Sequence, residues 1–124
     1  MRASTRPWPE ISEFYSGLVR DHHWQVEPLL ELVQYLATSP YASGLYAYTS
    51  HATLCLGRCA NFTASDGELR VAFDPSTKAF TFTYTQSPAD SLPWTRTCAT
   101  EESLSVLRHV LHRRLGWFTG GVAT

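Results

Sequence analysis

The sequence has no apolar run approaching the ~18 residues of a membrane-spanning helix, so no membrane association is expected. Its first nine residues carry two arginines but no apolar stretch of the length a secretion signal needs, so export is not expected either. Charge of one sign is also missing. Ten Lys and Arg against eleven Asp and Glu leave a net charge of −1, no excess with which to neutralise a phosphate backbone, and no nucleic-acid partner is expected. Cysteine is scarce and odd in number. Three thiols fit a reducing compartment, the cytoplasm, better than a disulfide framework.

Motifs of the common chemistries are absent as well. There is no Gly-x-Ser-x-Gly elbow, no His-Glu-x-x-His pair, no phosphate-cradling glycine loop and no Gly-x-Gly-x-x-Gly turn. His22 and His23 are adjacent, and adjacent side chains diverge from one another. Cys55 and Cys59 lack the tight turn of a zinc knuckle, and in an extended segment they stand about 13 Å apart, too far for a disulfide. No metal and no cofactor is expected. Glu101 and Glu102 are accounted for by the positive N-terminal end of a helix.

What is present is enough for a core. An apolar fraction of 44% with 17% charged residues places the 124-residue chain among globular proteins, at the size of one domain spanning 1–124, with flexible ends at 1–8 and 119–124. Ile11, Phe14, Tyr15, Leu18 and Val19 recur at the spacing of one helix face and predict a helix over about 9–20. Pro28, harmless in a first helical turn, opens a second helix with Leu29, Leu32, Val33 and Leu36 on one stripe, and Thr38, Ser39 and Pro40 end it.

Over 45–84 the period changes to two. Asp74 to Ala79 encloses a turn, and pairing those two residues sets Phe73 opposite Phe80, Val71 opposite Phe82 and Leu69 opposite Tyr84, all on one face. A turn at Ser50-His51 aligns Leu45 with Leu56 and Ala47 with Leu54, and Gly57 reads as a bulge. The stretch after Tyr84, with Pro88 and Pro93, reads as a surface connection from which Leu92 and Trp94 tuck against the core. Thr100 caps a last helix whose buried stripe is Leu104, Leu107, Leu111 and Leu115, with Val110 beside them. The expected fold class is α+β: an antiparallel sheet of about four strands in a meander, two N-terminal helices and one C-terminal helix.

Removing the core residues from each strand leaves Tyr46, Tyr48, Thr53, Cys55, Arg70, Ala72, Thr81, Thr83 and Thr85 on the other face, where Arg70 alone carries a charge. A sheet face left in water normally carries more charge, while tyrosines, small residues and one arginine suit a contact surface. Tyr46, Tyr48, Arg70 and Thr83 are therefore the candidate interaction face, for a protein partner or for a homodimer. The alternative is a small enzyme or ligand-binding domain with a pocket between helices and sheet, touched by His51, Arg58 and His22; an inward Arg58 would require an anionic partner. The basic run Arg108, His109, His112, Arg113 and Arg114 reads as a solvated helix end opposing the negative pole of its own dipole. Denatured without reductant, the protein is expected to titrate three reactive thiols; fewer would reveal a disulfide.

Overall fold

The computed structural model describes residues 5–60, 62, 66–85 and 94–118. Helix α1 runs Trp8–His22 and buries Ile11 and Tyr15. Its start is the expected one, and the chain before it is anchored: the Arg6 N–H donates to the Ala47 carbonyl at 2.9 Å. Residues 5–8 are thus tied to the sheet, whereas 1–4 and 119–124 lie outside the described residues. The helix stops at His23, whose left-handed backbone (φ 57°) lets the Trp24 N–H reach the Leu18 carbonyl at 3.0 Å, the usual way of satisfying a last-turn carbonyl.

Helix α2 is Glu27–Ala37, with Pro28 in its first turn and Leu29, Leu32, Val33 and Leu36 buried. One hydroxyl ends it and starts the next turn. Ser39 Oγ donates to the Leu36 carbonyl at 2.9 Å and accepts the Tyr41 N–H at 3.2 Å, opening a 3₁₀ turn over Pro40–Ser43.

Five antiparallel strands follow as a meander: β1 Tyr46–Ser50, β2 Thr53–Gly57, β3 Glu68–Asp74, β4 Ala79–Thr85 and β5 Trp94–Ala99, adjacent in chain order. The β3–β4 register is the expected one, with Phe73 opposite Phe80, Val71 opposite Phe82 and Leu69 opposite Tyr84. Asp74 Oδ1 accepts from the Ser76 N–H at 2.9 Å and from Ser76 Oγ at 2.7 Å. These bonds lock the turn and hold the Asp74 carboxyl below its ordinary range.

Two expectations are corrected. The β1–β2 turn is His51-Ala52, so Ala47 faces Leu56 and Thr49 faces Leu54; His51 supplies the left-handed residue (φ 57°) that a two-residue hairpin turn needs. The shift moves each partner by two residues and so preserves the buried face. The second correction is β5, a fifth strand where a surface connection was expected; Trp94 lies in it opposite Tyr84, and Leu92 lies outside the described residues.

The C-terminal helix begins as a 3₁₀ turn at Thr100–Glu102, continues as α3 over Ser103–His109 and widens into a π turn over Val110–Arg114. Its buried stripe is Ser103, Val106, Leu107, Val110 and Leu111, the i, i+3, i+4, i+7, i+8 set that follows from a helix starting at Ser103. Leu104 falls beside that stripe and is 40% exposed. Thr100 does not cap. Its hydroxyl donates to the Lys78 carbonyl at 2.6 Å, tying the start of this helix to the β3–β4 turn, while the Glu102 carboxylate accepts the Ala99 N–H at 3.4 Å.

All three helices pack on one side of the sheet. Ile11, Tyr15, Leu29, Leu32, Val33, Leu36, Val106, Leu107 and Leu111 form a single cluster with Leu54, Leu56, Leu69, Val71, Phe80 and Phe82. Among the described residues, no helix is long and apolar enough to cross a membrane. Phe82 is fully buried at the centre of this cluster. Phe82→Ala is expected to cost roughly 3–5 kcal/mol, and an unchanged denaturant midpoint would refute the Val71–Phe82 pairing.

Candidate interaction face

The pairings align one row of side chains across the whole sheet on the side away from the helices: Tyr48, Cys55, Arg70, Thr83 and Thr95. On either side run Tyr46 with Gly57, Glu68 with Thr85, and Ala72 with Thr81 and Thr97. Strand alternation places all of them on this face. Three of the four candidate residues thus share a row, and Tyr46 stands in the next.

The β1–β3 half of the face is closed by the chain's own side chains. Phe62, between β2 and β3, is fully buried with its ring 5.3 Å from that of Tyr48. It lies so close over β2 that a Cβ on Gly57 would come within 2.3 Å of the ring. Gly57 is therefore not a bulge but the last paired residue of β2, where the lack of a side chain admits an aromatic plug.

Beside the plug lies a charge the sequence reading missed. Glu68 belongs to β3 and faces this side, so Arg70 is not the only charged residue here. The Glu68 side chain is only 6% exposed, and both its oxygens are engaged: Tyr48 donates its hydroxyl to Oε1 at 2.7 Å, and Arg70 donates Nε–H to Oε2 at 2.6 Å. A buried carboxylate needs such partners, because an unpaired charge in a dry site is strongly destabilising. Burial, reinforced by the Glu68 hydrogen bond, raises the Tyr48 phenol well above its ordinary range. Cys55 in the same row is fully buried, and burial pushes its thiol up to about 11. It is a packed, protonated group at neutral pH rather than a nucleophile.

The β4–β5 half is different. Thr81, Thr83, Thr85, Thr95 and Thr97 line it with Ala72, Ala79 and Ala99, and none of these carries a charge. Thr95 and Thr97 are exposed, and the Thr81 and Thr97 hydroxyls lie 3.2 Å apart. The sequence reading missed Thr95 and Thr97 because it placed them in a connection; the signal was there in Trp94-Thr95-Arg96-Thr97-Cys98, an alternation rich in β-branched residues.

The alternative pocket residues are not brought together. His51 is exposed in the β1–β2 turn, and the Tyr15 hydroxyl donating to the Ala52 carbonyl at 3.0 Å sets the middle of α1 beside that turn. His22, at the end of α1, is therefore at the same end of the sheet. Arg58 follows the opposite end of β2, roughly 20 Å from His51 at ~3.3 Å per residue. Its guanidinium is exposed rather than turned into the core. Nε–H donates to the Gly44 carbonyl at 2.8 Å, Nη1–H donates to the Trp117 carbonyl, and the group stacks 4.6 Å from the centre of the Phe118 ring. Arg58 is a clasp joining the 3₁₀ turn to the chain after the π turn. A cleft of about 570 Å³, lined by residues including Glu27, Phe73, Lys78 and Glu101, lies at the β3–β4 turn and contains none of the three.

Fold and face together define a class: a five-stranded antiparallel meander with its helices on one side and a charge-poor face on the other. No family model matches the chain, and no curated protein or solved structure matches it either.

Thiol labelling tests the plugged half. In the native protein Cys59, which is exposed, is expected to react quickly and Cys55 slowly. Gly57→Ala should displace Phe62 and speed the Cys55 reaction by about tenfold or more, the change that ~1.4 kcal/mol of lost local protection gives. An unchanged rate would mean that Phe62 does not seal the site.

Proposed function

We propose that this chain is a protein-interaction domain without catalytic activity, which binds a protein partner or a second copy through its charge-poor sheet face. The observation behind this reading is the threonine-lined β4–β5 half, a stretch of sheet opposite the helices on which Thr95 and Thr97 are exposed and none of the described residues is ionised. Water-facing sheet surfaces are usually studded with charge. Short β-branched side chains lose little rotamer freedom on burial and leave a flat surface, which suits a partner's face. Tyr46, 39% exposed, adds an aromatic contact at the other margin. The three free cysteines fit a cytoplasmic setting for this binding.

The plugged half narrows where the contact would form. Tyr48 is half-buried and holds Glu68, so replacing it would leave a buried carboxylate short of a partner and would unfold the region rather than separate two chains. Arg70 is shared between roles. Its side chain is 46% exposed while its Nε–H holds Glu68, so among the described residues of this face its guanidinium is the cationic element a partner would meet. The ligand-pocket alternative has no comparable support, since Arg58 is engaged by two carbonyls and a ring.

A Thr81→Lys/Thr83→Glu variant tests the reading, because both substitutions stand on the threonine half, Thr83 directly opposite Arg70. Wild-type protein is expected to self-associate in sedimentation, or to retain a protein from the lysate of its source cells. The variant should lose that association while keeping its circular dichroism spectrum and thermal midpoint. A variant that associates as well as wild type, or a wild type that is monomeric and retains nothing, would overturn the proposal.

A further inference from the structure

The two edges of the sheet differ. The β1 edge is met by the chain itself, through the Arg6 N–H to the Ala47 carbonyl at 2.9 Å. No other strand among the described residues pairs with the outer side of β5, and at the end of the strand the Glu102 carboxylate takes the Ala99 N–H at 3.4 Å. An edge whose outward-facing N–H and C=O groups are unpaired is a template for another strand, and proteins commonly cover or guard such edges.

The charges around this edge are arranged end to end. Near its start stand Arg96, exposed, and Arg114, whose guanidinium lies 5.2 Å from the centre of the Trp94 ring. Just beyond its end stand the exposed Glu101 and Glu102. Neither Arg96 nor Glu101 forms an ion pair among the described residues. An edge that is basic at one end and acidic at the other complements its own copy when the copy runs antiparallel.

We infer that β5 pairs antiparallel with β5 of a second copy about a two-fold axis, joining two five-stranded sheets into one. The axis must lie normal to the sheet, so side chains that face across it belong to the same side, and residues of equal parity pair. Two such registers use nearly the whole strand. A register centred on Arg96 sets two guanidinium groups against each other, which disfavours it. The register centred on Thr97 sets Thr97 on Thr97 of the second copy, Thr95 on its Ala99, Arg96 on its Cys98 and Trp94 on its Thr100. Arg96 and the Trp94-stacked Arg114 then approach Glu101 and Glu102 of the second copy, twice over by symmetry. The threonine rows of the two chains become continuous across the axis. This pairing does not depend on what the threonine face binds, since Arg96 and Trp94 lie on the helix side of the sheet.

Sedimentation equilibrium of the full chain at tens of micromolar tests it. Wild-type protein is expected to be a dimer, and Arg96→Glu should raise its dissociation constant by about tenfold, since it places like charges together at both ends of the contact. Glu101→Lys/Glu102→Lys should do the same by itself. Mixing the two variants should restore association as a heterodimer, in which both ends are again complementary, and this rescue shows that each variant is folded. A monomeric wild type, an Arg96→Glu dimer of unchanged affinity or a mixture without rescue would each overturn the edge pairing. A dimer lost in Thr81→Lys/Thr83→Glu but retained in Arg96→Glu would overturn it while leaving the face reading intact.

Discussion

The pairing of Asp74 with Ala79 across a four-residue turn is the constraint on which both sides of the sheet depend. Because side chains alternate along a strand, one register decides two faces together. On the helix side it aligns Thr49, Leu54, Val71, Phe82 and Arg96, and on the other Tyr48, Cys55, Arg70, Thr83 and Thr95. A slip of β4 by one residue would carry Phe80 and Phe82 out of the core and Thr81 and Thr83 into it. The turn is held from three directions: Asp74 caps Ser76, the Lys78 N–H closes onto the Asp74 carbonyl at 2.7 Å, and Thr100 grips the Lys78 carbonyl. The last of these bonds couples the turn to the start of the C-terminal helix.

The far face shows two ways of treating a sheet surface that no helix covers. Over β1 to β3 the chain folds an aromatic plug onto it and spans the margin with a tyrosine, a carboxylate and a guanidinium. Each of these parts needs the others: Phe62 fits because Gly57 has no side chain, and Glu68 is tolerated because Tyr48 and Arg70 complete its hydrogen bonds. Fully satisfied polar groups of this kind fix a local arrangement more strictly than apolar packing does, because displacing one strands the rest. Over β4 and β5 the described residues place neither plug nor charge on this face. That asymmetry within one face, rather than the composition of the face as a whole, is what directs the functional reading to the threonine half.

The C-terminal segment is fastened in a comparable way. The Tyr41 hydroxyl meets His112 Nε2 at 2.7 Å, Phe118 stacks edge-on against Tyr41 with ring centres 4.9 Å apart, and Arg58 holds the Trp117 carbonyl. The basic run of the last helix is thus divided. His112 and Arg114 are engaged, by Tyr41 and by Trp94, while Arg113 remains an exposed charge near a helix end. A segment that reads in the sequence as one cluster of charge is, in the fold, several separate contacts.

Much of the fold could be read from the chain because it follows from local periodicity. The stripes from Ile11 and Leu29 make their helices, and the alternation from Leu69 to Tyr84 makes its hairpin, since burial of one face stabilises the only period that presents it. Where a signal was weak the reading went astray: β5 was hidden behind two prolines and an arginine, and in the last helix Leu107, Val110 and Leu111 are buried as expected while Leu104 lies off the stripe, its place taken by Ser103 and Val106. The partners of Glu68, the plug at Phe62, the contacts of Arg58 and the open edge of β5 belong to the tertiary structure alone. Tyr48 and Glu68 are twenty residues apart, Gly44 and Arg58 fourteen, and Arg58 and Trp117 fifty-nine, and no local pattern records which distant groups meet. Sequence periodicity determines which side of an element is buried; only the assembled sheet decides what covers the side that is not.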